Sequence, residues 1–274
     1  MPARGWFEGQ AALVTGASRG IGRAIAERLA DEGARLVITA TSGGPLDEVA
    51  RACRARGAAV EVVVGDLGDP ALPGRLVETA VAAHGGLDVV VSNAFWEETA
   101  AVGVVSLQGW DRSLRVTLTA PMLLAQTAIP IMVAQGSGSI VLVGSMRGVA
   151  AGHGMAAYET AKSALFGLTR SIAVDYGPNG IRCNCVCPGL VLSERVREWY
   201  EGAHWRKEAM DAVVPLGRPG TPAEIANVVA FVASQEASYM NGSIVWVDGG
   251  SVSGLPENVA LELAERHAGE EAGD

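Results

Sequence analysis

Ala11-Ala12-Leu13-Val14-Thr15-Gly16-Ala17-Ser18-Arg19-Gly20-Ile21-Gly22 is the stretch on which the fold turns. Residues 11–14 form a short apolar run of the kind that makes a buried strand. A glycine-rich turn follows, and residues 23–32 carry a helical pattern. Strand, tight turn and helix N-terminus together aim backbone N–H groups and the positive end of a helix dipole at one point. That is a ready site for a pyrophosphate. Glycine permits the turn and lets the backbone approach the ligand closely. The spacing is G-x-x-x-G-x-G rather than the commoner G-x-G-x-x-G.

The same alternation continues along the chain. Segments rich in apolar residues at 36–40, 60–64, 87–91, 140–143, 181–187 and 244–247 predict six further strands. Helical patterns lie between them at 47–56, from Pro70 and Pro73 to Ala83, and at 110–135, 155–176 and 223–234. Strands alternating with helices predict an α/β fold, one doubly wound parallel sheet of about seven strands with helices on both faces. The 274 residues suit one such domain.

A second constellation lies in residues 145–162. Tyr158 and Lys162 are four residues apart, so on a helix they share one face, one turn apart. A phenol titrates near about 10 and carries protons poorly at neutral pH. A neighbouring ammonium favours the phenolate and lowers that value. Proton transfer works best with a pKa near the operating pH, so Tyr-x-x-x-Lys builds an acid/base from a phenol. Ser145 ends the predicted strand 140–143 and its hydroxyl can meet the Tyr158 hydroxyl across the strand-to-helix connection.

The loop TGASRGIG, a Ser thirteen residues before a Tyr, and YxxxK, in that order, resemble the short-chain dehydrogenase/reductase family. Asp66, Ser92-Asn93-Ala94, Pro188-Gly189 and Val247-Asp248-Gly249-Gly250 extend the resemblance over about residues 7 to 254. The resemblance includes bacterial 3-oxoacyl-carrier-protein reductases and related ketoreductases of secondary metabolism. The resemblance implies a Rossmann-type sheet within residues 1–254, a nicotinamide dinucleotide cofactor and hydride transfer to or from a carbonyl carbon. It implies that Tyr158 donates the proton, that Lys162 tunes Tyr158 and binds the nicotinamide ribose, and that Ser145 orients the carbonyl. Cofactor contacts carried over are Gly16, Ser18, Arg19, Gly20, Ile21 and Gly22 in the loop, Thr41, Asp66 and Leu67 at the adenosine, and Asn93 and Ala94. Pro188, Gly189 and Val191 border the nicotinamide. Family members place a Thr shortly after them to bond the carboxamide; the nearest hydroxyl here is Ser193. Two departures stand out. Phe95 follows Ala94 where the family has glycine beside the cofactor, and Thr117 stands where the family has an Asn that holds a water in the proton relay. Thr keeps the main-chain carbonyl, and its hydroxyl is expected to bond within the helix.

The end of the second strand selects the cofactor. An acid there would bind the adenosine 2′-hydroxyl and select NAD. This chain has Thr39-Ala40-Thr41-Ser42 and no carboxylate before Asp47. Arg19 can pair with a 2′-phosphate, so NADP(H) is expected.

The net charge of −9 argues against a nucleic-acid surface. No uninterrupted apolar window approaches a membrane span, and the N-terminal residues lack a signal-peptide apolar region, so no membrane association and a cytoplasmic location are expected. Cys183, Cys185 and Cys187 alternate along a predicted strand, which suits small buried hydrophobes rather than tetrahedral metal spacing, so no metal is expected.

Residues 193–214, polar and aromatic, resemble the family's mobile substrate lid. Trp96, Met146, Arg147, His153, Met155, Trp199 and Trp205 are the candidate substrate residues, a large and apolar set that suggests a bulky or cyclic free ketone. Arg147 is either a receptor for a substrate carboxylate or a surface charge. The segments before the fifth and sixth strands, 134–139 and 175–179, hold no Lys or Arg to dock an acidic carrier protein. An NADP-dependent alcohol dehydrogenase working oxidatively, and a non-catalytic NADP(H)-binding regulator, are the alternatives. A homo-oligomer, tetramer or dimer, is expected on the family's pattern. Residues 255–274 lie beyond the family core and are expected to be a tail, partly helical or disordered.

Overall fold

The computed structural model describes residues 5–254; the expected tail 255–274 lies outside the described residues. Seven strands form one parallel sheet in the order β3-β2-β1-β4-β5-β6-β7. They are β1 (Ala11–Thr15), β2 (Arg35–Ala40), β3 (Val60–Val64), β4 (Val89–Ser92), β5 (Gly138–Val143), β6 (Ile181–Pro188) and β7 (Ile244–Val247). The helices are α1 (Gly20–Asp31), α2 (Gly43–Arg54), α3 (Leu72–His84), α4 (Leu107–Leu114), α5 (Ala120–Gln135), α6 (Ala156–Tyr176), α7 (Glu194–Glu201), α8 (His204–Ala212) and α9 (Pro222–Ala233). Every predicted strand is present. The central strands read as unbroken apolar runs because helices cover both faces of the sheet.

Alternation within each strand splits the core in two. Ala12, Val14, Leu36, Ile38, Val89 and Val91 face α1, α2 and α9. Leu13, Val37, Val90, Ile140 and Leu142 face α3, α5 and α6. The cysteines of β6, Cys183, Cys185 and Cys187, are fully buried in this second half.

Two features differ most from the sequence reading. Helix α2 starts at Gly43 rather than at 47, although Gly43-Gly44-Pro45 looks like a breaker. The first four N–H groups of a helix have no intrahelical partner, so Pro45 forfeits no bond there. The long helix 107–135 is interrupted by a π-helical turn, Arg115–Thr119, between α4 and α5. This 29-residue helix is long and apolar enough to cross a membrane, yet its buried side packs on α3, α6 and the sheet as a core helix does.

The strand order reverses between β1 and β4, the two strands nearest the glycine loop. In a doubly wound sheet the crevice at that switch point, beyond the C-terminal strand ends, is where ligands bind. Asn93 closes it from below: its Nδ2 donates to the carbonyls of Thr15 at 3.0 Å and Gly16 at 3.3 Å. Its N–H and that of Ala94 donate to Thr15 Oγ1 at 2.9 and 3.1 Å.

Candidate active site

The glycine loop leaves β1 and enters α1 with Gly16 at φ 65° and Gly20 at φ 55°, left-handed values that favour glycine. Gly22 is glycine for a different reason: a Cβ there would lie 2.1 Å from the Gly16 carbonyl oxygen and 2.5 Å from Asn93 Nδ2. The loop is thereby pressed against the sheet and leaves a cavity of about 550 Å³ above it. Gly16, Ser18, Arg19, Gly20, Ile21, Gly22, Thr41, Asp66, Leu67, Asn93, Ala94 and Ser193, all expected at the cofactor, line this one cavity. Thr39, also on its wall, carries a buried hydroxyl without a hydrogen-bond partner. Backbone amides at a helix N-terminus, an arginine at the rim and a glycine-lined floor fit a dinucleotide with its phosphates at the loop.

Of the wall residues that sequence reasoning missed, three bear most on the site. Arg112 of α4 pairs with Asp66 at 2.7 Å and lies over the Trp96 ring, 5.4 Å from its centroid. Backbone donation from Gly68, and then Arg112, hold the Asp66 carboxyl below its ordinary value. Val116 of the π-helical turn is the second. Glu194, the first residue of α7, is the third: its Oε2 accepts the N–H of Gly20 at 3.1 Å. No acid of α1 itself lies in its first turn, and Arg19 provides no side-chain cap. A carboxylate of α7 therefore caps α1. Nothing in the local pattern of either segment signals this contact.

Ser145 lies two residues beyond β5, is buried, and accepts the N–H of Arg147 at 3.1 Å on its Oγ. That bond leaves the hydroxyl proton free to be donated. Tyr158 and Lys162 lie one turn apart on α6. Lys162 is 2% exposed, and its Nζ donates to the Val143 carbonyl at 2.6 Å while lying 5.6 Å from the Tyr158 ring centroid. Burial lowers its pKa from 10.5 to about 8, although Cys185, Cys187 and Glu97 oppose the shift. Gly144 is confined by the β6 thiols, since a Cβ there would lie 2.7 Å from both the Cys185 and Cys187 sulfurs.

Thr117 lies in the π-helical turn, a feature frequent at functional sites. Its hydroxyl does not bond within the helix as expected. It accepts the Trp96 N–H at 3.2 Å and lies 3.3 Å from the Trp96 carbonyl, because the wide turn presents it to the loop after β4.

The remaining predicted residues are spread more widely. Pro188 ends β6, and Gly189 lies against Asp248, where a Cβ would be 2.7 Å from the Asp248 Cα. Val191 is bridged to Gly220. Met146 and Arg147 form the turn after Ser145, and the Arg147 guanidinium is 3.8 Å from the Glu159 carboxylate. Met155 is bridged to Ala100, and His153 is exposed. Trp199 and Trp205 are exposed on α7 and α8, which Lys207 and Tyr200 tie together through Asp211.

Comparison with known proteins agrees with this geometry. Residues 16–252 match the family described as enoyl-(acyl carrier protein) reductase. Human dehydrogenase/reductase SDR family member 4 is 35% identical over 256 residues, which is 93% of this chain and 92% of the human protein. Levodione reductase superposes with a TM-score of 0.86 at 32% identity, covering 91% of this chain and 100% of that one. A Beutenbergia cavernae protein assigned as an NAD(P)-dependent gluconate 5-dehydrogenase, with bound NADP, superposes with a TM-score of 0.85 at 34% identity, covering 91% and 99%. The chain belongs to the short-chain dehydrogenase/reductase family, NAD(P)-dependent oxidoreductases that act on carbonyls and alcohols.

Proposed function

We propose that this protein uses NADPH to reduce a ketone to an alcohol on a bulky or cyclic small molecule, with Tyr158 as proton donor. The observation that carries the reading is the buried Lys162 ammonium, held to β5 by the Val143 carbonyl and 5.6 Å from the centre of the Tyr158 ring. Bound NADPH supplies the hydride. The Tyr158 hydroxyl carries the proton to the carbonyl oxygen. Lys162 favours negative charge on that phenol oxygen and so eases the transfer. Ser145 donates its hydroxyl proton to the same carbonyl oxygen and stabilises charge developing there.

NADPH over NADH is supported by Arg19 at the cavity rim, by the absence of a carboxylate on Thr39-Ala40-Thr41, and by NADP bound to the Beutenbergia protein. A ketone substrate is supported by the likeness to levodione reductase. Trp199 and Trp205 on the lid helices supply apolar surface for such a molecule. The likeness to a gluconate dehydrogenase favours a second reading, oxidation of an alcohol by the same residues. Exposed Leu107, Met122, Val133 and Val174 on α4, α5 and α6 support a homo-oligomer, dimer or tetramer, which light scattering would test.

The test is a fluorescence titration with NADPH and NADH followed by a ketone panel on wild type and Tyr158→Phe. Tight NADPH binding and turnover that Tyr158→Phe abolishes, with its NADPH affinity within about threefold, is the expected result. Turnover retained in Tyr158→Phe, or tighter NADH binding, would overturn it.

A further inference from the structure

Phe95 occupies the position after Ala94 and is 44% exposed on the wall of the cofactor cavity. On its inner side it meets the two residues read as the proton-transfer pair. Its ring lies 5.4 Å from the Tyr158 ring, edge-on at 65°, and Lys162 Nζ lies 5.8 Å from its centroid. The ammonium thus lies near the rings of Phe95 and Tyr158 with the Val143 carbonyl as acceptor; Phe95 lines the cavity, and the buried Lys162 is not among the residues that line it.

We propose that Phe95 is a positioning residue: its ring screens the Lys162 ammonium from the cavity and holds the Tyr158 ring edge-on beside it. Two physical effects of the ring oppose one another. A cation over an aromatic face is attracted to it, which favours the charged lysine. Exclusion of water disfavours the charged lysine. The groups that face Lys162 are Tyr158 on its own helix, the Val143 carbonyl of β5, Cys185 and Cys187 of β6, and Glu97 of the loop after β4. The two cysteines and Glu97 act to raise the Lys162 pKa, and it is nevertheless depressed, so exclusion of water dominates at this site. A glycine at position 95 would open the ammonium to the cavity and leave the Tyr158 ring without its edge contact.

The inference rests on the reading of Tyr158 and Lys162 as the proton-transfer pair, and its test separates the two. The chain contains only two lysines, Lys162 and Lys207, so NMR of protein carrying 13C-labelled lysine resolves Lys162 directly. Lys207, paired to Asp211 on α8, is the internal control. The measurement is made without cofactor, on wild type, Phe95→Gly and Phe95→Leu, with Phe95→Ala held in reserve if the glycine variant does not fold. In Phe95→Gly the Lys162 resonance should titrate about one unit higher while Lys207 stays put. Phe95→Leu, which keeps bulk without an aromatic face, should hold Lys162 within about half a unit of wild type. Carbonyl reduction by Phe95→Gly should show kcat lowered about tenfold, a basic limb moved to higher pH, and NADPH affinity within about threefold. A Lys162 titration that is unchanged or lower in a folded Phe95→Gly would overturn the screening role. Normal screening shifts in an enzyme without turnover would leave this inference standing and sink the proposed activity instead.

Discussion

Glu194→Gln should tighten cofactor binding. The Glu194 carboxylate accepts the Gly20 N–H at 3.1 Å, at the N-terminus of α1, the end of a helix that suits the phosphates of a dinucleotide. A phosphate oxygen and this carboxylate cannot both accept that N–H in full, so binding must displace the carboxylate. A negative charge at an exposed helix N-terminus is worth about 0.3–1 kcal/mol. Removing the charge removes that much competition, and about 1.4 kcal/mol is tenfold in affinity, so Kd should fall by a factor of about 2 to 5. Residual repulsion between a displaced carboxylate and the phosphates acts in the same direction. The pyrophosphate is common to both cofactors, so NADPH and NADH should gain equally and their ratio should not change. The free protein should lose a small amount of thermal stability, because α1 loses its cap. Nicotinamide fluorescence titrations of both cofactors, at low and at about 0.5 M salt, provide the assay. The gain should shrink at high salt, where the charge is screened. Unchanged or weaker binding in Glu194→Gln would refute the competition and mark Glu194 as a helper of cofactor binding.

Three further outcomes follow from the geometry. Gly22→Ala should abolish binding of both cofactors in the same titration and lower Tm, because its Cβ would meet the Gly16 carbonyl oxygen at 2.1 Å. Thr221→Ala should cost about 1 kcal/mol and lower Tm by about 2–4 °C with cofactor affinity unchanged, because Thr221 and Glu224 form the capping box of α9, which packs on α1. Lys162 should set a pH dependence of stability. Its folded pKa of about 8 lies below the ordinary 10.5, so between those values the unfolded chain binds the extra proton and stability rises with pH. Denaturant unfolding of wild type should therefore gain up to about 3 kcal/mol over that window relative to Lys162→Met. Parallel curves for the two proteins would contradict the burial of a titrating lysine.

The sheet was legible because its strands are covered on both faces, so that β1, β4 and β5 carry unbroken apolar stretches and β6 alternates cysteines with Arg182 and Asn184. The phosphate loop was legible for a related reason. Its glycines are fixed by contacts inside one strand-turn-helix unit, as Gly22 against Gly16 illustrates. Tyr158 and Lys162 were legible because one helix turn sets their relation. The π-helical turn at Arg115–Thr119 was not, since one extra residue in a helical turn leaves the apolar pattern of Val116, Leu118 and Ala120 intact on either side. The Thr117 hydroxyl was misjudged for that reason: an α-helical residue 117 would have had a helix carbonyl to bond, whereas the wide turn offers it the Trp96 backbone.

The residues that escaped sequence reasoning share one property, that their partners are distant in the chain. Glu194 meets Gly20 across 174 positions and Arg112 meets Asp66 across 46. Phe95 was visible as a departure from the family glycine, yet its contact with Tyr158 depends on how β4 and α6 are brought together by the sheet. The local motifs specify chemistry that is general to the family: phosphates at a helix N-terminus, and a phenol beside a lysine. The long-range contacts act on the access and tuning of those same groups. Glu194 stands at the Gly20 amide, Arg112 closes the wall at Asp66, and Phe95 covers Lys162. A buried ammonium costs stability, and its depressed pKa records that cost. A ring that could be glycine, as it is in the family, is therefore not explained by packing economy around Lys162. It is explained if keeping water from the ammonium serves proton transfer.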